Sequence, residues 1–205
     1  MEFELLGCNA ISCDLEDTTW PGNHIVGDAT PYLYDARKAG CHKSWWDLVI
    51  GHPPCTYLAN SGVRHLYVDG KKENGPDHVR WKKMLKGAAF FMKILNGANA
   101  KRVAVENPIM HGYAKRQGPS YPSFTVQPWM FGDPESKATC FWVRGDLPPL
   151  VPEYPTVEDF LARTAFTKIY QTTHNTAPGP DRWKKRSITF PGIAHALAQQ
   201  WRHLL

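Results

Sequence analysis

A helical pattern between two short apolar runs is the feature that most constrains how this chain can fold. The runs are DLVIG (47–51) and RVAVE (102–106), and the pattern between them is HVRWKKMLKGAAFFMKILNG (78–97). Four apolar residues of that pattern recur at helical spacing: Met84, Ala88, Phe91 and Leu95. A strand, a crossover helix and a second strand make up the unit from which parallel sheets are built.

The rest of the chain continues this alternation. Further strands are predicted at NAISC (9–13) and ATCFWV (138–143), with a weaker candidate at FTVQPW (124–129). The closing segment, 189–205, predicts a helix on which three apolar residues share one face: Ile193, Leu197 and Trp201. We therefore expect a single α/β domain over residues 1–205 with a mainly parallel sheet.

Composition restricts the class of protein. With 205 residues and 42% hydrophobic content the chain can bury a sizeable core, and no apolar run is long enough to cross a membrane. No secretory signal is visible at the start, and five cysteines without regular spacing indicate free thiols in a reducing cytosol. The net charge of +5 permits nucleic-acid binding without establishing it, since an ordinary mildly basic enzyme has the same charge.

The stretch IGHPPCTYLANSG (50–62) places Cys55 just beyond an apolar strand. A cysteine there can be a packed core residue, a metal ligand, half of a disulfide or a nucleophile. His52 and Cys55 form one H-x-x-C, but no second pair has comparable spacing, which disfavours zinc. A rigid Pro-Pro loop beyond the carboxyl end of a strand favours the nucleophile, because the chemistry of α/β sheets gathers there.

Glu106 is the second candidate for chemistry. It ends the apolar run of RVAVENP (102–108) and would share one edge of the sheet with Cys55. A carboxyl group in a dry cleft is a candidate for a raised pKa and for acid catalysis. The alternative is an ordinary acidic residue in a surface loop.

Four segments together resemble the short, phage- and prophage-type DNA cytosine-C5 methyltransferases. They are DLVIGHPPCTYLANSG (47–62), RVAVENPIMHG (102–112), VQPWMFGDPESKATCFWVRG (126–145) and DRWKKRSITFPGIAHALAQQW (181–201). The Pro-Pro-Cys and Glu-Asn elements are the most specific of these matches. The resemblance implies a Rossmann-like sheet, S-adenosylmethionine as cofactor and DNA as partner, in the cytoplasm of a bacterial host.

By this resemblance, Cys55 is the nucleophile that attacks C6 of cytosine, and Glu106 is the acid that holds or protonates N3. Asp14 is similar to the residue that binds the ribose hydroxyls of the cofactor, and Asp28 to the one that meets its adenine amine. Without the family match, these aspartates are a loop cap and a turn residue. The target base would have to leave the duplex before it could react.

The remaining site residues implied by the resemblance are of two kinds. Pro53 is assigned to the cofactor, whereas Pro54, Asn107 and Lys137 are assigned to the substrate. The basic loop 175–187 is either a solvated face or a phosphate contact, and for the second reading we assign Lys184 and Lys185 to DNA.

The chain also departs from the family pattern. Thr56 follows the cysteine where the family usually has Gln, and ESKAT (135–139) replaces a Gln-x-Arg-x-Arg stretch, of which Lys137 keeps one cation. Too few residues follow Val143 for a separate target-recognition domain. By the resemblance, the first, central strand of the sheet would precede the segment at which this chain opens. We therefore expect another segment or chain to fill the gap, the sheet to collapse, or the natural start to lie upstream, and we expect weak cofactor binding.

Two other functions stay open. A non-catalytic relative would keep DNA or partner binding without methyl transfer, as the missing cofactor loop suggests. An enzyme that modifies a free cytosine nucleotide would need no target-recognition domain.

Overall fold

A computed structural model describes residues 2–18, 20–118, 120–177, 179 and 182–205, and of residues 183–185 it describes the backbone only. The chain is of mixed α/β class, as predicted from the alternation of strands and helices. In the described part of the chain, no helix has both the length and the apolar character needed to cross a membrane.

The strands form two separate sheets. The smaller sheet pairs β1 (Ser12–Asp14) with β2 (His24–Val26) in parallel. The larger sheet contains β3 (Trp46–Gly51), β4 (Ala100–Pro108), β5 (Phe124–Val126) and β6 (Thr139–Arg144), in the order β3–β4–β6–β5.

The larger sheet is mixed, which corrects the expectation of a mainly parallel one. Only β3 and β4 run parallel, whereas β6 runs antiparallel to both of its neighbours, β4 and β5. The reason lies in the segments that connect the strands. The 20-residue helix α3 (His78–Gly97) crosses over between β3 and β4 and makes them parallel. In the described part of the chain, no helix of that length lies between β4 and β6 to make a second parallel crossover.

Helix α3 spans the predicted residues, 78–97. It begins after Asp77, whose side chain accepts a hydrogen bond from the backbone N–H of Arg80 at 3.0 Å and so caps the first turn. Met84, Ala88 and Phe91 are fully buried, as their spacing predicts. Leu95 is only half-buried because the neighbouring Ile94 takes the deeper position on this face.

The larger sheet is covered on both faces. Along β4, Val103 and Val105 point toward α3, and Ala104 points toward the closing helix α7 (Pro191–Trp201). On the α7 side the predicted stripe is buried: Ile193, Leu197 and Trp201. Buried strands with helices on either face leave the strand ends as the accessible part of the sheet.

Five shorter helices complete the fold. They are α1 (Glu2–Leu5), α2 (Thr30–Tyr34), α4 (Gly112–Lys115), α5 (Val157–Arg163) and α6 (Arg182–Ser187). The basic loop predicted at 175–187 therefore contains a short helix, α6, that leads into α7. All five cysteines are free thiols.

Candidate active site

Cys55 follows β3 and Glu106 lies near the end of the adjacent parallel strand β4, at the same end of the sheet. In the register of β3 and β4, Gly51 pairs with Val105, so Glu106 lies beside the start of the Pro-Pro-Cys loop. The buried Asn107 donates a hydrogen bond from Nδ2 to the carbonyl of Pro53 at 3.3 Å, which ties the two strand ends together. The structure thus brings together the two residues that the sequence assigns to catalysis.

Cys55 begins a tight turn. Its carbonyl accepts hydrogen bonds from the N–H groups of Leu58 and Ala59, each at 2.9 Å. A second carbonyl of this turn, that of Tyr57, lies 2.9 Å from Nε2 of His111. Because Nδ1 of His111 accepts a hydrogen bond from the N–H of Ala114 at 3.0 Å, its proton resides on Nε2, which donates to Tyr57.

His111 is therefore a buried, neutral clamp on the Cys55 turn. Its side chain is 2% exposed, and burial lowers the pKa of its imidazole. Sequence reasoning missed it, although its place four residues after Asn107 in the same segment was the available signal. The clamp holds the backbone that carries the thiol, so its effect on Cys55 is positional.

The Cys55 thiol is half-buried, and its surroundings favour the protonated form. Burial raises the pKa of the Cys55 thiol, and the carboxylate of Glu106 raises it further, while Lys137 and Arg186 act in the opposite direction. A thiol must lose its proton before it attacks. These two cations are therefore the groups in this site that can promote a thiolate.

Lys137 lies at the centre of this arrangement. Its Nζ donates hydrogen bonds to the carbonyls of Arg186 at 3.0 Å and Ile188 at 3.2 Å. Burial lowers the pKa of its ammonium group, whereas Glu106 and Cys55 raise it. Lys137 joins the catalytic pair to the segment between α6 and α7, which sequence reasoning had treated as a surface loop.

His52 is a further functional residue that the sequence did not assign. Its Nδ1 lies 3.2 Å from Oε2 of Glu106. The side chain of Glu106 is 13% exposed and that of His52 is 43% exposed, so the imidazole connects the inner carboxyl group to solvent. The signal was the H-x-x-C spacing, which we had considered only as a possible metal site.

The space beside Glu106 is small. A cavity of about 10 Å³, the room that one water molecule needs, is lined by Glu106, Lys137, Thr139, Thr189, Phe190 and Ile193. A ring of the size of a pyrimidine does not fit into this cavity. A larger cleft of about 330 Å³ lies elsewhere along α7, lined by residues that include Phe131, Glu153 and His195.

The two aspartates assigned to the cofactor lie together on the smaller sheet. Asp14 ends β1 and Asp28 follows β2. Burial raises the pKa of the Cys13 thiol, and the carboxylates of Asp14 and Asp28 raise it further. Oδ1 of Asp14 accepts from the N–H of Glu16 at 3.0 Å, and Oδ1 of Asp28 from that of Thr30 at 2.9 Å. The bond from Thr30 lowers the pKa of the Asp28 carboxyl group.

The other assigned residues differ in their surroundings. Pro53 is buried under the strand ends, and Pro54 is exposed. Oδ1 of the buried Asn107 has no hydrogen-bond partner within the described part of the chain. The side chains of Lys184 and Lys185 lie outside the described residues, so their assignment to DNA stays a prediction.

Among the residues that the structure describes, no three His, Cys, Asp or Glu side chains gather in a way that could hold a metal ion. Comparison with protein-family models, with curated proteins and with solved structures found no match to this chain. The geometry of the site and the chemistry of its residues therefore carry the functional argument.

Proposed function

We propose that this protein transfers a methyl group from S-adenosylmethionine to C5 of cytosine in DNA through a covalent Cys55 adduct. The observation that carries the proposal is the placement of Cys55 and Glu106 at the ends of two adjacent parallel strands, with Lys137 acting on the charge of both. A nucleophile, an acid and a cation within one strand-end site are what attack on an electron-poor ring requires.

Each residue has a defined task in this mechanism. The Cys55 thiolate forms a bond to C6 of cytosine, while the carboxylic proton of Glu106 moves to N3 and the electron pair of the C5–C6 bond makes C5 nucleophilic. After C5 is methylated, a base removes the C5 proton and the C5–C6 double bond re-forms. The C6–sulfur bond then breaks with its electron pair returning to the Cys55 thiolate, and the N3 proton returns to Glu106. Lys137 stabilises the thiolate before attack and after its release.

The cofactor would supply an electrophilic methyl group when bound. Asp14 and Asp28 fit its adenosine end, because ribose hydroxyls and an amine are donors and both residues are exposed carboxylates at one end of the smaller sheet. Pro53 is assigned to the same ligand. The smaller sheet, which carries both aspartates, does not pair with the larger sheet, and this separation supports weak binding of the methionine end.

Two further parts of the proposal concern partner and location. The proposed contacts for the substrate are Pro54, Asn107, Lys137, Lys184 and Lys185. The five free thiols support a reducing cytoplasm, here that of a bacterium carrying a phage or prophage.

A covalent trap tests the proposal. Duplex DNA with 5-fluorocytosine should become linked to Cys55 in the presence of cofactor, because fluorine at C5 cannot leave as a proton does. Cys55→Ser should abolish the adduct, and Cys41→Ser, which alters another half-buried thiol, should keep it. An adduct that persists in Cys55→Ser contradicts the assignment.

The small cavity beside Glu106 favours a second candidate, a non-catalytic relative that binds DNA or a partner. The third candidate is an enzyme that modifies free cytosine nucleotides. It is distinguished from the first by an experiment in which 5-fluoro-dCMP replaces the duplex. Linkage to the nucleotide but not to the duplex would favour this third function.

A further inference from the structure

The surface beside the Cys55 turn is strongly basic. Residues 64–86 carry seven Lys and Arg but three Asp and Glu, a net charge of +4 in a chain whose total is +5. Six of the seven cations are exposed, and the seventh, Arg80, is half-buried. Within the described part of the chain, none of the seven forms an ion pair with a carboxylate.

Two of these cations stand over a ring that belongs to the Cys55 turn. The guanidinium carbon of Arg80 lies 5.0 Å from the centre of the Tyr57 ring, and Nζ of Lys83 lies 5.8 Å from it. Tyr57 follows Cys55 by two residues, and His111 holds its carbonyl. The first turns of α3 therefore present positive charge beside the turn that carries the candidate nucleophile.

The same pairing of a cation with a tyrosine continues away from the turn. Nζ of Lys72 lies 6.0 Å from the Tyr67 ring, and the guanidinium carbon of Arg116 lies 4.8 Å from the Tyr113 ring. The hydroxyl oxygens of Tyr67 and Tyr113 are 2.6 Å apart, so the two pairs are joined. We call this the Tyr–cation surface, formed by Lys72, Arg80, Lys83 and Arg116 with Tyr57, Tyr67 and Tyr113.

Two of the arginines beside this surface act on the neighbouring His65. Burial lowers the pKa of His65, and the charges of Arg80 and Arg64 lower it further. Like charges held together without acidic partners cost free energy in the isolated protein, and a polyanion relieves that cost. An ordinary solvated face carries similar numbers of positive and negative charges, whereas residues 64–86 carry seven cations and three acids.

The dimensions of the surface match a nucleic-acid backbone. From Arg80 to Lys86, α3 rises by ~9 Å, which corresponds to two or three base-pair steps of a duplex. A base that reaches Cys55 from a duplex leaves its neighbouring phosphates close to the protein. The Tyr57 ring with its two cations lies on the path that those phosphates would take.

We infer that the Tyr–cation surface binds the phosphate backbone of duplex DNA beside the base that reaches Cys55. The inference rests on the proposed function and places its DNA contacts on α3 and the tyrosines, in addition to the α6 region.

The test compares two double variants with equal loss of charge. Lys72→Ala/Lys83→Ala removes two lysines that stand over tyrosines of the surface. Lys93→Ala/Lys168→Ala removes two exposed lysines that stand over tyrosines elsewhere, at 5.5 Å from Tyr34 and 5.2 Å from Tyr170. Binding of a fluorescent duplex of about 21 base pairs, two helical turns, is followed by anisotropy over a series of salt concentrations without cofactor.

The first double variant should flatten the plot of log affinity against log salt by about two units, roughly one per lost phosphate contact, and the second should leave the slope unchanged. Equal slopes for both variants would overturn the inference, as would a wild-type chain that binds single-stranded RNA but not the duplex. If the slope falls as expected but the 5-fluorocytosine trap fails, the DNA surface stands and methyl transfer does not.

Discussion

Nδ1 of His52 lies 3.2 Å from Oε2 of Glu106, across 54 residues of sequence. The half-exposed imidazole contacts solvent, whereas the carboxyl group faces the inner cavity. In the proposed reaction, the proton that Glu106 gives to N3 returns to Glu106 when the product forms, so the carboxyl group needs no proton from solvent in each cycle. The contact with His52 instead holds the carboxyl group in one orientation toward the ring.

His52→Gln should therefore slow covalent trapping by about tenfold, less than the hundredfold that a misplacement of ~1 Å can cost. The measurement is the rate of adduct formation on a 5-fluorocytosine duplex as a function of pH. An orienting role predicts a similar loss at every pH. A loss that changes with pH would show that His52 exchanges protons with Glu106 as well.

Lys137→Met should make Cys55 less reactive. Lys137 lowers the pKa of the Cys55 thiol, so its removal raises that pKa and decreases the thiolate fraction at any pH below it. We expect several-fold slower alkylation of Cys55 by iodoacetamide near neutral pH, measured by peptide mass spectrometry, with the profile moved to higher pH. Lys137→Arg should restore most of the rate. Unchanged alkylation in the Met variant would show that Arg186 alone supports the thiolate.

His111 should make stability depend on pH. Its pKa is lowered in the folded protein, so the unfolded chain binds more protons below the ordinary value of 6.5. The free energy of unfolding is therefore at its full value above about pH 6.5, and it decreases as the pH falls from there through the lowered pKa of His111. His111→Gln should cost about 1–2 kcal/mol at pH 7, since two hydrogen bonds are altered, and should reduce this dependence.

Urea unfolding between about pH 7 and pH 5.5, above the range where most carboxyl groups titrate, measures both effects. A variant that keeps the full pH dependence of the wild type would assign it to another group, such as His65, whose pKa is also lowered.

The cofactor should bind weakly, and through the smaller sheet. In the proposed binding mode, Asp14 and Asp28 would hold only the adenosine end, and a methyl group misplaced by ~1 Å can cost about a hundredfold in rate. Calorimetry should show weak binding of S-adenosylmethionine that Asp28→Asn weakens further, while Asp17→Asn, in the same region, leaves it unchanged. Tight binding by the 205-residue chain would mean that another segment holds the methionine end.

The sequence by itself determined the elements whose signals are local. Helix α3 was predicted to the residue because its apolar stripe and its final glycine lie within one continuous segment. Helix α7 and the strands β3, β4 and β6 follow from the same kind of periodicity. Cys55 and Glu106 could be assigned together because a crossover helix between two strands makes their ends neighbours.

The tertiary structure decided what depends on contacts between distant segments. The three-residue strand β2 is too short to show a period, and the direction of β6 depends on the path of the chain after β4. The pairing of His52 with Glu106, the contacts of Lys137 with the 186–188 segment and the stacking of Arg80 on Tyr57 join residues between 23 and 54 positions apart. No local pattern encodes such contacts, because they arise only when sheet register and helix packing fix which side chains meet.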